Sequence, residues 1–314
     1  MELNLGQPPM LMQLYSRLMH HLSISSGLTK LSFNPIVDQQ FSNCNGLLTA
    51  KMLNGMSIKV EPNDYHGRVL YLFGTNDPKV HAVTQGLLFP GYRFLDIGAN
   101  YSSIGLLATD RVGSSGQVHL FEPQPHICQY VEEAIKKTGL TNVHLHRVAL
   151  MDREGEMQLA KPQDHSGMAT LIDYCDQTTW DSISVPVKNI ANHIPPLIDS
   201  APFGVKIDVE GAEPYLMPWL LDQPNLQFMI FEAAHNHQQL WDLIEAKPDF
   251  KLYGLERVIF TQRIRHVPSF NEMSLYHDLV AVRFPDTLEL PVSINPYALG
   301  RMLKKHRQFS EQSN

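Results

Sequence analysis

Between Tyr92 and Val282 the chain alternates short apolar runs with segments whose apolar residues recur at helical spacing. The apolar runs have the length of β-strands. They cover Arg93–Ile97, Gln117–Glu122, Val143–Leu145, Val205–Val209, Gln227–Glu232 and Leu279–Val282. A helical segment after the second run has Pro125 near its start and Gly139 near its end, as helix termini prefer. This alternation predicts an α/β fold, a mostly parallel sheet with helices on both faces.

The segments on either side follow other patterns. Residues 1–85 predict an N-terminal extension, with weak helical periodicity first and then two β-prone runs, Met56–Val60 and Arg68–Tyr71. The main domain is expected at residues 86–285. A polar, β-like stretch near 156–187 is expected to form an insertion over one end of the sheet. Residues 286–314 predict a C-terminal helix and tail whose basic residues form a solvated face.

Composition excludes several classes of protein without selecting one. The chain of 314 residues carries 25 Lys+Arg against 32 Asp+Glu, a net charge of -7, which argues against a dedicated nucleic-acid binder. No apolar stretch approaches the ~20 residues of a membrane span, and the N-terminus lacks the pattern of a secretory signal. The cysteines Cys44, Cys128 and Cys175 form no Cys-x-x-Cys pair, which favours a reducing compartment. We therefore expect a cytoplasmic protein without nucleic-acid or membrane partners; the oligomeric state stays open.

The first strand runs into a turn, Asp96-Ile97-Gly98-Ala99-Asn100, at the edge of the sheet where open α/β folds bind ligands. Gly98 permits a tight turn and close backbone approach. A dinucleotide site would have glycine where Asn100 stands, so that a pyrophosphate could rest on the helix N-terminus. The carboxylate of Asp96 is unfavourable beside a pyrophosphate and favourable beside a sulfonium or ammonium. The turn favours a cationic nucleoside; the alternative is a turn that binds no ligand.

The second strand ends in Glu122, followed by Pro123. Proline stops the strand, so the carboxylate is expected to point out of the sheet end. A carboxylate at this junction accepts hydrogen bonds from both ribose hydroxyls, as in dinucleotide folds. Alone, Glu122 would more often be a surface acid. Together with Asp96 and Gly98 it makes nucleoside binding the better interpretation.

The segment Val205–Glu213 is unusual because Lys206, Asp208 and Glu210 alternate with apolar residues, which predicts three ionisable groups on one strand face. A strand covered on both faces is expected to be nearly all apolar. The simpler interpretation is a Lys206–Asp208 ion pair that fixes the strand. The functional one places Asp208 and Glu210 at a catalytic mouth, with Lys206 tuning their charge.

The next strand ends in Glu232, and His235 and His237 follow it closely. These three side chains could approach Asp208 across adjacent strand ends. Histidine and carboxylate are common metal ligands. The 15 histidines are, however, spread over the whole chain, so we expect no metal.

Taken in order, these junctions resemble the FkbM-type family of S-adenosylmethionine-dependent methyltransferases. The matching pieces are Asp96–Asn100, Phe121–Pro123, Ala149–Gly155, Ser166-Gly167 and Lys206–Glu213. The resemblance implies a Rossmann-like class I methyltransferase fold, a seven-stranded sheet whose last strand, near Leu279–Val282, is antiparallel. It also implies S-adenosylmethionine as the cofactor.

The resemblance further implies a cofactor-binding set. Asp96, Gly98 and Asn100 would surround the methionine part, and Glu122 would hold the ribose hydroxyls. The turn that ends at Asp152 would lie near the adenine. The chain departs from the family pattern in two places. In the first, Ser102 stands where the family has a glycine, and Gly105 stands where the family usually has Ser or Thr. In the second, Val187–Ala191 stands where the family has a Thr-Leu-Asp run. Ser102 could weaken cofactor binding or mark a degenerate site.

We therefore expect methyl transfer to oxygen, with a small molecule or saccharide as acceptor. A base must receive the hydroxyl proton, and Asp208 is the first candidate, followed by Glu210 and His235, with Lys206 as their partner. Two alternatives stay open. One is a nicotinamide-dependent oxidoreductase on a Rossmann-like fold, and the other is a cofactor-binding scaffold without turnover.

Overall fold

The computed structural model describes residues 6–21, 35–172, 180–256 and 261–312; Cys175 lies outside them. The helices are α1 Met10–His21, α2 Pro35–Ser42, α3 Tyr65–Phe73, α4 Pro78–Leu87, α5 Ser103–Val112, α6 Pro125–Thr138, α7 Ile190–His193, α8 Pro195–Ile198, α9 Glu213–Leu221, α10 His237–Glu245, α11 Phe270–Met273 and α12 Pro296–Gln312. The strands are β1 Leu48–Lys51, β2 Ser57–Val60, β3 Arg93–Ile97, β4 Gln117–Phe121, β5 Val143–His146, β6 Ala149–Met151, β7 Gly155–Lys161, β8 Asp181–Asn189, β9 Phe203–Ile207, β10 Leu226–Glu232, β11 Phe250–Leu255, β12 Ile264–His266, β13 Asp278–Arg283 and β14 Ser293–Ile294.

The central sheet has the strand order β14-β12-β11-β13-β10-β9-β3-β4-β5 and nine strands in the described part of the chain. β5, β4, β3, β9 and β10 run parallel to one another, whereas β13 is antiparallel to both of its neighbours. The predicted α/β fold and its antiparallel strand near Leu279–Val282 are confirmed. The two strands beyond the expected seven, β12 and β14, are short and extend one edge.

Strand β3 shows why the sheet lies at the centre of the fold. Phe94 packs into the hydrophobic core on one face, while Leu95 and Ile97 pack into the core on the other. All three side chains are at most 1% exposed. Because both faces of the strand are buried, a mostly apolar run, interrupted by Asp96, predicted it correctly. Helix α6 also begins at Pro125 as predicted, and Gly139 follows its end with a φ of 67°.

The prediction of a strand over Arg68–Tyr71 is wrong, because these residues lie within α3. Asp64 caps the helix by accepting a hydrogen bond from the Gly67 N–H at 2.8 Å. Gly74 ends the helix in the left-handed conformation, with a φ of 74°. Residues 67–73 are buried throughout. A buried helix therefore showed the same short apolar run as a buried strand, and periodicity does not separate the two.

The polar strand also differs from its prediction. β9 ends at Ile207, and Glu210 has a φ of 50°, which is a left-handed turn conformation and not an extended one. Glu210 therefore leaves the strand alternation, and the expectation that it shares one strand face with Lys206 and Asp208 is wrong. The helix after this turn, α9, continues through Pro218.

Two small sheets and a loop stand at the edge of the main sheet. β1 pairs with β2, and β7 and β8 form an antiparallel pair that β6 extends. Between β7 and β8, a 3-10 turn covers Ser166–Met168. Helix α12 packs on α4, and its Lys304 lies over the ring of Phe89, so its basic face is partly occupied. None of the helices in the described residues is long and apolar enough to cross a membrane.

Candidate functional site

A cavity that is open to solvent lies where the carboxyl ends of β3, β4 and β9 meet. Its walls come from segments far apart in the sequence. The two strand junctions and the polar strand form one part, and the turn near β6 and the loop between β7 and β8 form the rest. The lining includes His66, Gly98, Asn100, Glu122, Gln124, Val148, Ala149, Leu150, Ser166, Gly167, Asp208 and Val209.

The first junction fits closely against the polar strand. Gly98 has a φ of 74°, and a Cβ atom there would overlap the backbone carbonyl oxygen of Asp208. The Asp208 N–H donates to the carbonyl of Ile97 at 3.0 Å. Only glycine allows this turn and this approach at once. The fit brings Asp208 into the wall of the same cavity as the first junction.

Glu122 lies at the second junction and is 2% exposed. Its carboxylate accepts a hydrogen bond from the Asn100 N–H at 2.7 Å and another from the Gln124 N–H at 2.8 Å. Burial raises the pKa of Glu122 to about 7, and the two backbone donors oppose that shift. A carboxylate has about four acceptor positions, so positions remain for the hydroxyls of a ligand.

Gln124 lines the same wall, although its side chain was not among the predicted site residues. Its Nε2 donates to the carbonyl oxygen of Ser166 at 3.0 Å. Since a carbonyl only accepts, this bond fixes the orientation of the amide. Gln124 Oε1 is buried without a hydrogen-bond partner, which costs about 1–3 kcal/mol. The wall therefore holds an acceptor that a donor group of a ligand would satisfy.

Lys206 joins the polar strand to the first junction. Its ammonium lies 3.2 Å from Asp208 Oδ2 and 3.3 Å from Asp96 Oδ1, and it donates to the carbonyl of Gly98 at 2.9 Å. Burial lowers the pKa of Lys206, but the carboxylates of Asp208 and Asp96 outweigh burial and raise it. The Lys206–Asp208 ion pair of the simpler interpretation is therefore present, and the catalytic role of Asp208 stays a prediction.

Asp96 is fully buried and does not line the cavity. Its Oδ2 accepts a hydrogen bond from the Gly105 N–H at 2.9 Å, which ties the strand end to the first turn of α5. Burial raises the pKa of Asp96, and the Lys206 ammonium opposes that shift. Its contacts hold the junction in place.

An acidic group lies beside the cavity. Carboxylate oxygens of Asp208, Glu210 and Glu232 lie within 4.8 Å of one another. Burial, then repulsion by Glu232 and Asp208, raises the pKa of Glu210 to about 9. Burial raises the pKa of Glu232 to about 7, although His277, at 2.9 Å, opposes that shift. A pKa near 9 leaves the carboxyl of Glu210 protonated at neutral pH, so the group carries less negative charge than three carboxylates would. The expected absence of a metal stays a prediction.

Of the predicted site residues, Gly98, Asn100, Glu122 and Asp208 line the cavity. The others lie outside its wall: Asp96, Ser102, Asp152, Lys206, Glu210 and His235. Ser102 is fully buried with a φ of 55°, and the exposed Asp152 pairs with Arg153. The roles assigned to these residues stay predictions. His66 was missed because it lies between the two runs that were predicted as strands.

The family model described as the methyltransferase FkbM domain matches residues 96–274. No curated protein matches the chain in sequence. Among solved structures, methyltransferase FkbM from Methylobacillus flagellatus KT is 15% identical with a TM-score of 0.38, covering 62% of this chain and 44% of that chain. This chain thus spans less than half of that protein.

Two further solved structures show similar values. A SAM-dependent O-methyltransferase from Thermotoga maritima is 14% identical with a TM-score of 0.36, covering 68% of this chain and 68% of that chain. An rRNA methylase from Streptococcus thermophilus is 8% identical with a TM-score of 0.36, covering 65% of this chain and 94% of that chain. At this level of similarity, the solved structures do not identify the methyl acceptor of this chain.

Proposed function

We propose, from the premise that this chain belongs to the methyltransferase FkbM domain family, that it transfers a methyl group from S-adenosylmethionine to a hydroxyl oxygen. The family match covers more than half of the chain. One observation carries the proposal beyond the family: the buried acceptor Glu122 and the acid Asp208 line one cavity. A nucleoside and a reacting group can therefore be held side by side.

The residues present fit this cofactor. Glu122 offers the acceptor positions that ribose hydroxyls need, and Gln124 Oε1 is a buried acceptor without a partner. The apolar residues Val148, Ala149 and Leu150 line the cavity, where the adenine was expected. When bound, S-adenosylmethionine supplies an electrophilic methyl group.

The chain's own contribution to the reaction is positioning and proton transfer. Positioning of the acceptor hydroxyl contributes much of the rate in such a reaction. The carboxylate of Asp208 receives the hydroxyl proton, and the ammonium of Lys206, 3.2 Å from Asp208 Oδ2, holds that carboxylate in place. Glu210 and His235 are the reserve candidates for the base. Since neither lines the cavity, Asp208 is better placed.

The cavity supports the oxidoreductase alternative less well. A dinucleotide site uses backbone N–H groups at the first turn to bind a pyrophosphate. Here the Asn100 N–H already donates to the carboxylate of Glu122 at 2.7 Å, and that carboxylate would repel a phosphate. The scaffold alternative depended on Ser102, which does not line the cavity.

The acceptor in this proposal is a small molecule or sugar, and neither a nucleic acid nor a membrane is a partner. The net charge of -7 supports this choice, because it repels a polyanion. A cytoplasmic location, and a division into an extension at 1–85, a methyltransferase domain at 86–285 and a tail at 286–314, are proposed with it.

Two experiments test the function. Thermal unfolding is measured with S-adenosylmethionine, S-adenosylhomocysteine and NAD, since a ligand of the folded state raises the melting temperature. Stabilisation by the two S-adenosyl compounds is expected; stabilisation by NAD alone, or by none, contradicts the proposal. S-adenosylmethionine with a tritiated methyl group is then incubated with sugars, small phenols and total RNA. Label in RNA alone would refute the proposed acceptor.

A further inference from the structure

Ser166 is held at three atoms by side chains from three separate parts of the chain. Its N–H donates to Asp64 Oδ1 at 2.6 Å, its Oγ accepts from Asn100 Nδ2 at 2.9 Å, and its carbonyl accepts from Gln124 Nε2 at 3.0 Å. Ser166 is 3% exposed and lines the cavity. We call Asp64, Asn100, Gln124 and Ser166 the Ser166 clamp.

Asn100 belongs to the first strand junction and Gln124 to the second, whereas Asp64 lies outside both junctions. Asp64 is 4% exposed, and both of its oxygens are engaged. Oδ2 caps α3 through the Gly67 N–H, and Oδ1 binds the Ser166 N–H. The carboxylate thus fixes the loop between β7 and β8 to the start of α3.

His66, two residues after Asp64, lines the cavity. Its ring packs so closely on Gly167 that a Cβ atom at Gly167 would overlap the ring. The Tyr65 N–H donates to the carbonyl of Asp164 at 3.0 Å, and the rings of Tyr65 and His165 stack with centroids 4.3 Å apart. The start of α3 and this loop therefore form one packed unit beside the ligand cavity.

The geometry points to Asp64 as a positioning residue for the cofactor, acting through Ser166, with His66 as a cofactor-contacting part of the wall. Both residues lie outside the segment 96–274 that matches the family model. The inference rests on the proposed function, since it takes an S-adenosyl nucleoside as the ligand. Asp64 holds Ser166 where the serine hydroxyl, which accepts from Asn100, keeps its own proton for the ligand.

The experiment measures the dissociation constant of S-adenosylhomocysteine by calorimetry on the full chain. Asp64→Ala is compared with Asp77→Ala, because Asp77 caps the next helix by accepting from the N–H groups of Lys79 and Val80 and does not line the cavity. Both variants lose a helix cap and are expected to melt at a lower temperature. Asp64→Ala alone is expected to weaken binding about tenfold or more.

A second pair of variants keeps the test valid if Asp64→Ala fails to fold. Gly167→Ala is expected to weaken binding about tenfold, because the added methyl group displaces the ring of His66 from the wall. In the double variant with His66→Ala the overlap is gone, and binding is expected to return to that of His66→Ala alone. His66→Ala alone is expected to weaken binding as well, because it removes from the cavity wall the ring that Gly167→Ala displaces.

The outcomes separate the inference from the function on which it rests. If the unaltered chain does not bind S-adenosylhomocysteine, the proposed function fails. If it binds, but Asp64→Ala and Asp77→Ala have equal affinity, the positioning role of Asp64 is refuted. Should Gly167→Ala or His66→Ala bind as the unaltered chain does, His66 is not part of the cofactor wall.

Discussion

The ammonium of Lys206 lies 3.3 Å from the fully buried carboxylate of Asp96. Removing one partner of such a pair leaves an unpaired buried charge, which costs about 3–5 kcal/mol. Lys206→Met is therefore expected to lower the free energy of unfolding by that amount in urea denaturation. The double variant with Asp96→Asn is expected to regain part of the loss. A loss below about 1 kcal/mol in the single variant would show that the pair is not buried in this way.

Replacing the proposed base separates binding from turnover. Asp208→Asn keeps the shape of the side chain and removes the proton acceptor, so kcat is expected to fall about 100-fold to 10,000-fold. The dissociation constant of S-adenosylhomocysteine is expected to change by less than about threefold, since Glu122 and Gln124 are intact. Kinetics with the acceptor found in the labelling experiment, with the exposed Asp242→Asn as control, provide the measurement. Full turnover by Asp208→Asn would exclude it as the base.

Cofactor affinity is expected to depend on pH through Glu122, whose pKa burial raises to about 7. Below that pH the carboxyl group carries a proton and has fewer acceptor positions for ribose hydroxyls. Binding of S-adenosylhomocysteine is expected to weaken about tenfold between pH 8 and pH 6. Glu122→Gln is expected to bind more weakly, with a flat profile over this range. An equally steep profile in Glu122→Gln would assign the titration to another group.

Glu210 is expected to destabilise the protein at high pH. Its folded-state pKa, about 9, lies above the ordinary value near 4.5, so its contribution to stability is complete below about pH 4.5 and is lost as the pH rises through 9. Glu210→Gln cannot ionise, and at pH 9 it is expected to be more stable than the unaltered chain by on the order of 1 kcal/mol. Urea denaturation at pH 5 and pH 9 checks this; a pH-independent difference would contradict it.

Ser102→Gly tests whether the serine that departs from the family pattern affects the cofactor. Ser102 has a φ of 55° and lies outside the cavity wall. Glycine relieves the left-handed strain, so a gain of about 0.5–1 kcal/mol in unfolding free energy is expected after its entropic cost.

The affinity of Ser102→Gly for S-adenosylhomocysteine is expected to stay within about twofold of that of the unaltered chain. Gly98→Ala serves as the contrast, because its methyl group would overlap the carbonyl of Asp208 and binding is expected to be lost. A large gain in affinity for Ser102→Gly would show that the serine does weaken the site.

The parts of the fold that are set by local sequence could be predicted. β3 has a mostly apolar run, interrupted by Asp96, and a glycine turn, and its bounds are those predicted. α3 could not be separated from a strand, because all its sides are buried and the apolar pattern therefore lost its period. The residues at the two helix ends distinguish a helix from a strand: Asp64 is the N-cap, and Gly74 ends the helix in the left-handed conformation.

Part of the candidate site could likewise be predicted from the sequence, and part could not. Glu122 and Asp208 follow strands directly, so their positions in the sequence placed them at the sheet edge. Ser166 appeared in the sequence only as part of a two-residue motif, because its partners Asp64, Asn100 and Gln124 come from distant segments. Contacts between distant segments depend on how the loop between β7 and β8 packs, and no spacing in the sequence encodes that packing.

In the sheet, β9 hydrogen-bonds to β3, although β4 to β8 lie between them in the chain. Pairing over such a separation is slow, because a long loop must close before the contacts form. During synthesis β3, β4 and β5 can assemble first and leave one edge of β3 without a neighbour. Until β9 arrives, that open edge can pair with another chain, so aggregation competes with folding at the strand that begins the cofactor site.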